Sequence, residues 1–214
     1  QDPSRYEALV ESQEAHLAAL DRTPASALRD YARAEITLHL GLSQLMFRHL
    51  VMGGYHLRSG YHQMQAVVKR YPAFAPARKT LGVCEFAVDS LPEGYRWLLR
   101  LLGLNANVDT GLKNLALAAA QPSDFQTESQ LYQALIREGY YKKPQEALLL
   151  IKRLTAQQPD NLLFAYLLVS VSKRQHDGDA ALTAYRARPI GPAYLPVPYL
   201  HHMAADLLLY RGDY

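Results

Sequence analysis

Hydrophobic residues recur three and four positions apart along most of the chain, with polar residues between them. This spacing is typical of amphipathic α-helices. Leu, Ala, Gln, Arg and Glu dominate and β-branched runs are short, so the pattern predicts an all-α fold. Clusters of Pro and Gly interrupt the pattern and predict helix ends at Thr23-Pro24, Gly53-Gly54, Tyr71-Pro72, Gln121-Pro122, Lys143-Pro144, Gln158-Pro159 and Pro189 to Pro198. The segments between them predict ten or eleven helices.

Two of the helical segments repeat each other. EALLLIKRL at 146–154 is echoed by AALTAYRAR at 180–188, which places Ala147 and Ala181 34 residues apart. A period of 34 residues resembles that of the tetratricopeptide repeat, a pair of antiparallel helices. The resemblance puts both alanines where a small residue lets the two helices approach closely, and it puts Pro159 at the end of the second helix.

The same pattern extends upstream with an interruption. Leu81-Gly82 matches the Leu-Gly pair of a first helix, and Gly111 is the best candidate for the small residue of the second helix. Gly111 lies about 17 residues later than the repeat requires. We therefore expect an inserted short helix around residues 91–107. The predicted domains are 1–120, a helical repeat region that contains the insertion, and 121–214, regular repeats of which the last is incomplete.

The inserted stretch carries a more specific resemblance. Leu81-Gly82, Leu91-Pro92, Tyr95, Trp97-Leu98, Leu102-Gly103 and Gly111-Leu112 resemble a group of bacterial, Bacteroidetes-type tetratricopeptide proteins. These are distantly similar to the eukaryotic outer-membrane and inclusion-body-clearance repeat family. The resemblance covers roughly residues 28–118 and implies a right-handed superhelix of antiparallel helix pairs, an α-solenoid that acts as a scaffold without catalysis. The positions expected to be structural are Leu81, Gly82, Pro92, Tyr95, Trp97, Gly103, Gly111, Ala147, Pro159 and Ala181.

A candidate binding surface follows from the repeat register. In stacked repeats of this kind the first helix of each pair lines a concave groove, and the resemblance assigns to that groove Lys79, Tyr132, Ile136, Tyr166, Ser170, Lys173, Tyr199, His202 and Asp206. Tyr and His combine an apolar body with a polar tip, which suits the recognition of a peptide or protein. The alternative is that these aromatic residues pack between helices and are not exposed to a partner.

Composition excludes several classes of function. The net charge of +3 and the separation of the basic pairs by apolar runs argue against nucleic acid as a partner. A single cysteine, Cys84, excludes an internal disulfide, and no apolar run reaches the ~18 residues of a membrane span. No phosphate-binding loop, nucleophile elbow or metal-ligand spacing occurs, so the sequence predicts no catalytic residue, no metal site and no cofactor.

The sequence thus predicts a tetratricopeptide-repeat scaffold that binds a protein or peptide through the groove, and not an enzyme. The alternatives are an envelope-associated assembly or secretion factor and an enzyme built on a helical scaffold. The start at Gln1 and the incomplete last repeat indicate a processed or trimmed chain, with capping by a partner, by a second copy in a homo-oligomer, or by residues beyond Tyr214. We expect export to a bacterial cell envelope, with the cytoplasm as the alternative location.

Overall fold

The computed structural model describes residues 3–90, 103–104 and 106–212. Across these residues the chain forms ten α-helices and no strand, which confirms the predicted all-α class. The helices are α1 (Pro3–Asp21), α2 (Ala27–Met46), α3 (Leu50–Arg70), α4 (Ala75–Asp89), α5 (Val108–Ala120), α6 (Gln126–Gly139), α7 (Pro144–Gln157), α8 (Leu162–Arg174), α9 (Gly178–Arg186) and α10 (Pro198–Arg211). None of them is long and apolar enough to cross a membrane.

Side-chain caps explain where several helices begin. The first backbone N–H groups of a helix lack intrahelical partners, and Asn, Asp or Ser just before the helix can accept from them. Ser26 accepts from the N–H of Arg29, Asn107 does so at the start of α5, Asn161 at the start of α8 and Asp177 at the start of α9. The helix boundaries are therefore encoded locally.

Most of the predicted helix ends are confirmed, but the one at Gly53-Gly54 is wrong. Both glycines lie inside α3 and are buried. The chain reverses earlier, at residues 47–49, where Arg48 adopts the left-handed conformation with φ of 67°. Gly53 serves packing instead of a break, because a Cβ there would lie only 3.0 Å from the carbonyl oxygen of Gly41 on α2.

The chain divides into two compact units, 1–129 and 130–214. This division falls within α6, whereas the repeat pattern places the boundary in the turn before that helix, at 120/121. In the first unit, α2 packs on α3 and α4 packs on α5. A core that α2, α3 and α4 share with Leu104 contains Tyr31, Ala34, Leu38, Tyr61, Met64, Val67, Ala77, Leu81 and Leu104.

The close approach of α4 and α5 depends on two of the residues expected to be structural. A Cβ at Gly82 would lie 2.6 Å from the carbonyl oxygen of Gly111, and a Cβ at Gly111 would lie 2.8 Å from that of Gly82. Side chains larger than hydrogen do not fit at such distances. The structure thus brings together the two glycines that the repeat pattern pairs, although residues 91–107 intervene.

In the second unit, α8 packs on α7, α9 and α10. The two alanines of the 34-residue repeat, Ala147 and Ala181, are both fully buried. Val169 of α8 lies in one core cluster with Ala181 and with Leu200 of α10. Pro159 stands in the turn that separates α7 from α8, as predicted.

The inserted helix that we predicted around residues 91–107 falls mainly outside the described residues, and so do Pro92, Tyr95 and Trp97. The described end of that stretch contains Gly103, with a left-handed φ of 66°. Glycine adopts this conformation at no steric cost. Leu104 follows it and is buried in the core of the first unit.

Candidate functional site

Three of the predicted groove residues form a row of rings on α8 and α10. The ring centroid of Tyr166 lies 6.4 Å from that of Tyr199, which lies 6.1 Å from that of His202. Tyr166 is half-buried against the core of the second unit, whereas Tyr199 and His202 are exposed. The row therefore joins an anchored ring to two rings that are open to solvent.

A charged pair lies beside this row. Lys173 Nζ of α8 is 2.7 Å from Asp206 Oδ2 of α10, and His202 Nε2 is 3.9 Å from the same oxygen. The hydrogen bond from Lys173 holds the pKa of the Asp206 carboxyl below its usual range. The pair ties α8 to α10 and places both signs of charge at one edge of the aromatic row.

The other predicted groove residues are less accessible. Ile136 and Ser170 are buried, and Ser170 accepts a hydrogen bond from Arg174. Tyr132 is half-buried on α6. Lys79 lies in the first unit, where it is buried and doubly ion-paired. The structure thus assembles five of the nine predicted residues in one place: Tyr166, Lys173, Tyr199, His202 and Asp206.

An open cleft of about 850 Å³ adjoins the aromatic row. One wall is the turn from α7 to α8 together with the first residues of α8, and the other is the Pro-rich loop before α10. Its apolar lining comes from Leu162, Leu163, Tyr166, Tyr194, Leu195 and Val197. Tyr166 belongs to both the cleft and the row, so the two form one surface, which we call the cleft–row surface.

The sequence did not predict the cleft itself. Leu163 is 50% exposed and Leu195 is 83% exposed, although both are large apolar side chains. The available signal was the loop 187–197, where Ile190, Tyr194, Leu195 and Val197 alternate with prolines. Hydrophobic residues in a Pro-rich loop have no helix face to pack on, which favours an exposed binding wall.

A second polar cluster lies within the first unit and was also missed. The Tyr31 hydroxyl donates to Glu35 Oε1 at 2.5 Å, and Thr80 donates to the same oxygen. Lys79 Nζ lies 3.4 Å from Glu35 and 3.0 Å from Glu128. Burial alone would raise the pKa of Glu35, but the two hydrogen bonds and the Lys79 charge outweigh it and hold this pKa below its usual range.

Two further titratable groups lie on α4 next to that cluster. Burial raises the pKa of the Cys84 thiol to about 12, so the nucleophilic thiolate is suppressed. Burial also raises the pKa of Glu85, against an opposing hydrogen bond from Asn114 Nδ2 at 3.1 Å. Asn114 in turn accepts from Arg78. These contacts satisfy buried polar groups and tie α4 to α5.

The described residues offer little for metal chemistry. Among them no group of three His, Cys, Asp or Glu side chains lies close enough together to hold a metal ion. The cleft is lined mainly by apolar side chains, together with the amides of Gln158 and Asn161 and the exposed carboxylate of Asp160. Apolar walls with a few polar groups are typical of sites that recognise hydrophobic and peptide-like ligands.

The chain matches neither a protein-family model nor a curated protein. The resemblance to Bacteroidetes-type tetratricopeptide proteins therefore stays a prediction from the residues quoted above.

Proposed function

We propose that the protein is a non-catalytic scaffold that binds a peptide segment of another protein on the cleft–row surface. The observation that carries this proposal is the junction of the open cleft with the Tyr166–Tyr199–His202 row through one side chain, Tyr166. An apolar side chain of the ligand would occupy the space between Leu163 and Leu195. Its backbone and flanking polar groups would lie along the exposed rings.

The composition of the surface supports this ligand. Peptide-binding interfaces combine buried apolar anchors with a polar rim, and Tyr is enriched in them because its ring is rigid and its hydroxyl stays hydrated. Here the apolar cleft supplies the anchor site, and Tyr199, His202 and the Lys173–Asp206 pair supply the rim. Lys173 and Asp206 neutralise each other, which leaves the carboxylate of Asp160 as the charged group in the cleft lining. Shape and hydrophobicity, together with this one charge, would decide the ligand.

The helix pairs support a scaffold of the tetratricopeptide type. Gly82 faces Gly111, and Ala147 and Ala181 are fully buried, at the positions where this repeat places small residues. We propose the same repeat for both units, and with it the right-handed superhelix that the resemblance implies. In that architecture α8 and α10 are successive first helices, so the aromatic row would line the concave side.

The proposal is tested by selecting ligands from a random peptide library on the full chain and measuring their affinity by calorimetry. Leu163→Ala removes an apolar wall of the cleft and is expected to weaken binding about tenfold. Leu149→Ala is the matched control, because Leu149 is 64% exposed in the same unit and does not line the cleft. Equal losses in the two variants, or no selected ligand, would contradict the proposal.

A second matched pair tests the aromatic row. Tyr199→Ala removes the middle ring, and Tyr210→Ala removes an 86% exposed ring further along the same helix. We expect only the first change to weaken peptide binding. Circular dichroism of both variants checks that α10 remains folded.

A further inference from the structure

The hairpin formed by α2 and α3 exposes large apolar side chains at its end. They are Leu42 and Met46 in the last turns of α2, and Leu50, Val51, Met52 and Tyr55 in the first turns of α3. Leu50 is 67% exposed and Val51 is 86% exposed. Apolar residues gathered at one place on a surface mark a contact with a partner or a membrane, unlike isolated ones.

Packing holds this hairpin end in place. Gly41 and Gly53 let α2 and α3 approach backbone to backbone next to it. The ring of Tyr6, on α1, stacks on His49 at 4.3 Å and lies 5.1 Å from the ring of Phe47. The connection is therefore anchored from two sides, and the apolar side chains point outward from a well-packed base.

On α2 and α3 the charges near the hairpin end are positive. No Asp or Glu occurs between Glu35 and Glu85, a stretch that contains the hairpin connection and the whole of α3. Arg48 is exposed at the connection. Arg58 is also exposed and lies about 12 Å along α3 from Leu50, at a rise of about 1.5 Å per residue. Neither forms an ion pair with any described residue. On α1, which packs beside α2, Arg5 and Glu7 flank Tyr6 with opposite charges, and Glu11 one turn further on partly offsets the two arginines.

We propose that the end of the α2–α3 hairpin inserts into the headgroup region of an anionic lipid surface. One helical turn is about 5.4 Å deep, which matches the depth of about 5–10 Å at which interfacial apolar side chains lie. Leu50 and Val51 would reach the acyl boundary. Arg48, in the connection beside them, would extend its guanidinium back to the phosphates, and Arg58, about 12 Å further along α3, would face the outer headgroup region. Basic residues next to an anionic leaflet strengthen such binding.

A second copy of the chain fits this surface less well. A two-fold dimer through the hairpin ends would place Arg48 of one copy near the same residue of the other. Like charges at an interface oppose association. The hairpin carries no carboxylate after Glu35, and Glu7 of the neighbouring α1 is offset by Arg5. A membrane carries the complementary charge and adapts to a convex hairpin end.

The test is co-sedimentation of the full chain with vesicles of phosphatidylcholine alone and of phosphatidylcholine mixed with phosphatidylglycerol in equal parts. We expect binding to the mixed vesicles that weakens with added salt, and little binding to phosphatidylcholine alone. Val51→Asp is expected to weaken binding roughly tenfold or more, because an apolar group is replaced by a charge that the lipid repels. Arg48→Gly, which suits the left-handed backbone, is expected to weaken it about fivefold.

The matched control is Leu149→Asp, which introduces the same charge at a 64% exposed leucine of α7 and is expected to change nothing. The proposal is overturned if the wild type does not bind mixed vesicles at low salt, or if Leu149→Asp and Val51→Asp reduce binding equally. It is also overturned if sedimentation velocity shows a dimer that Val51→Asp dissociates, since the hairpin end would then bind a second copy.

Discussion

Adding a methyl group at Gly82 tests how closely α4 and α5 pack. In Gly82→Ala the new Cβ would lie 2.6 Å from the carbonyl oxygen of Gly111 and 2.9 Å from the backbone nitrogen of Leu115. Favourable contacts between such atoms begin near 3.5 Å, so the helices must separate by about 1 Å. Because both neighbours are backbone atoms, no side-chain rotation can relieve the clash.

The magnitude follows from two opposing effects. Forcing an extra carbon into a packed interface costs about 1–3 kcal/mol, and a clash with two backbone atoms belongs at the upper end. Replacing a helical glycine by alanine returns about 1 kcal/mol of helix propensity. The expected net loss is about 2 kcal/mol, which corresponds to a fall in melting temperature of about 4–8 °C for a chain of this size.

Thermal unfolding followed by circular dichroism at 222 nm measures this loss. Gly139→Ala is the control, because a Cβ at that position meets no atom within 4 Å, and it is expected to leave the melting temperature unchanged or to raise it. In a double-mutant cycle, Gly82→Ala combined with Gly111→Ala should cost less than the sum of the single changes, since helices already separated accommodate both methyl groups. A melting temperature for Gly82→Ala equal to or above that of the wild type would refute the close packing.

Four other predictions concern titratable groups. Glu35→Gln is expected to lower the free energy of unfolding at neutral pH by about 2 kcal/mol, because charged hydrogen bonds are lost. The folded pKa of Glu35 lies below the ordinary 4.5, so its contribution to stability is present above that pH and is lost in acid. In urea titrations at several pH values, the free energy of unfolding of the variant should therefore fall less steeply in acid than that of the wild type. Glu85→Gln is expected to have the opposite effect and to raise the free energy of unfolding at neutral pH. The folded pKa of Glu85 is raised, so the folded state loses stability as the pH rises through that pKa. Equal effects of the two changes would contradict this. At mildly alkaline pH the half-buried Cys84 thiol should react with a thiol reagent much more slowly in the native chain than after unfolding, and equal rates would contradict its raised pKa. Lys173→Met should raise the carboxyl pKa of Asp206, followed by NMR, and an unchanged value would exclude their hydrogen bond.

The helix ends were predictable where the chain uses proline, and less so where it uses glycine. Proline fixes φ and lacks an N–H, so Pro72 and Pro159 mark breaks in any context. Glycine has two uses, at turns and at close helix contacts, and sequence alone does not separate them. Gly53 therefore suggested a helix break where the structure has a contact between α2 and α3. The chain reverses at Arg48 instead, and no glycine there marks the turn in the sequence.

In the candidate site, too, residues at repeat positions could be predicted from the sequence, whereas residues brought together by long-range folding could not. The repeat interpretation assigned Tyr166 and His202, which are 36 residues apart, to successive first helices, and they lie on α8 and α10, which pack on each other. The second wall of the cleft, with Leu195, depends on how a loop folds back, which has no periodic signal. Glu35 and Thr80 meet across 45 residues of chain, and neither stands out from its own helix.

The most direct test of peptide binding is methyl NMR of the leucine and valine side chains during titration with a selected peptide. If peptides bind at the cleft–row surface, we expect the resonances of Leu163, Leu195 and Val197 to shift together and to saturate at the same peptide concentration. Those of Leu149 and Leu209, which are exposed but do not line the cleft, should stay in place. Shifts at Leu149 or Leu209 without shifts at the cleft would contradict the cleft–row surface as the binding site.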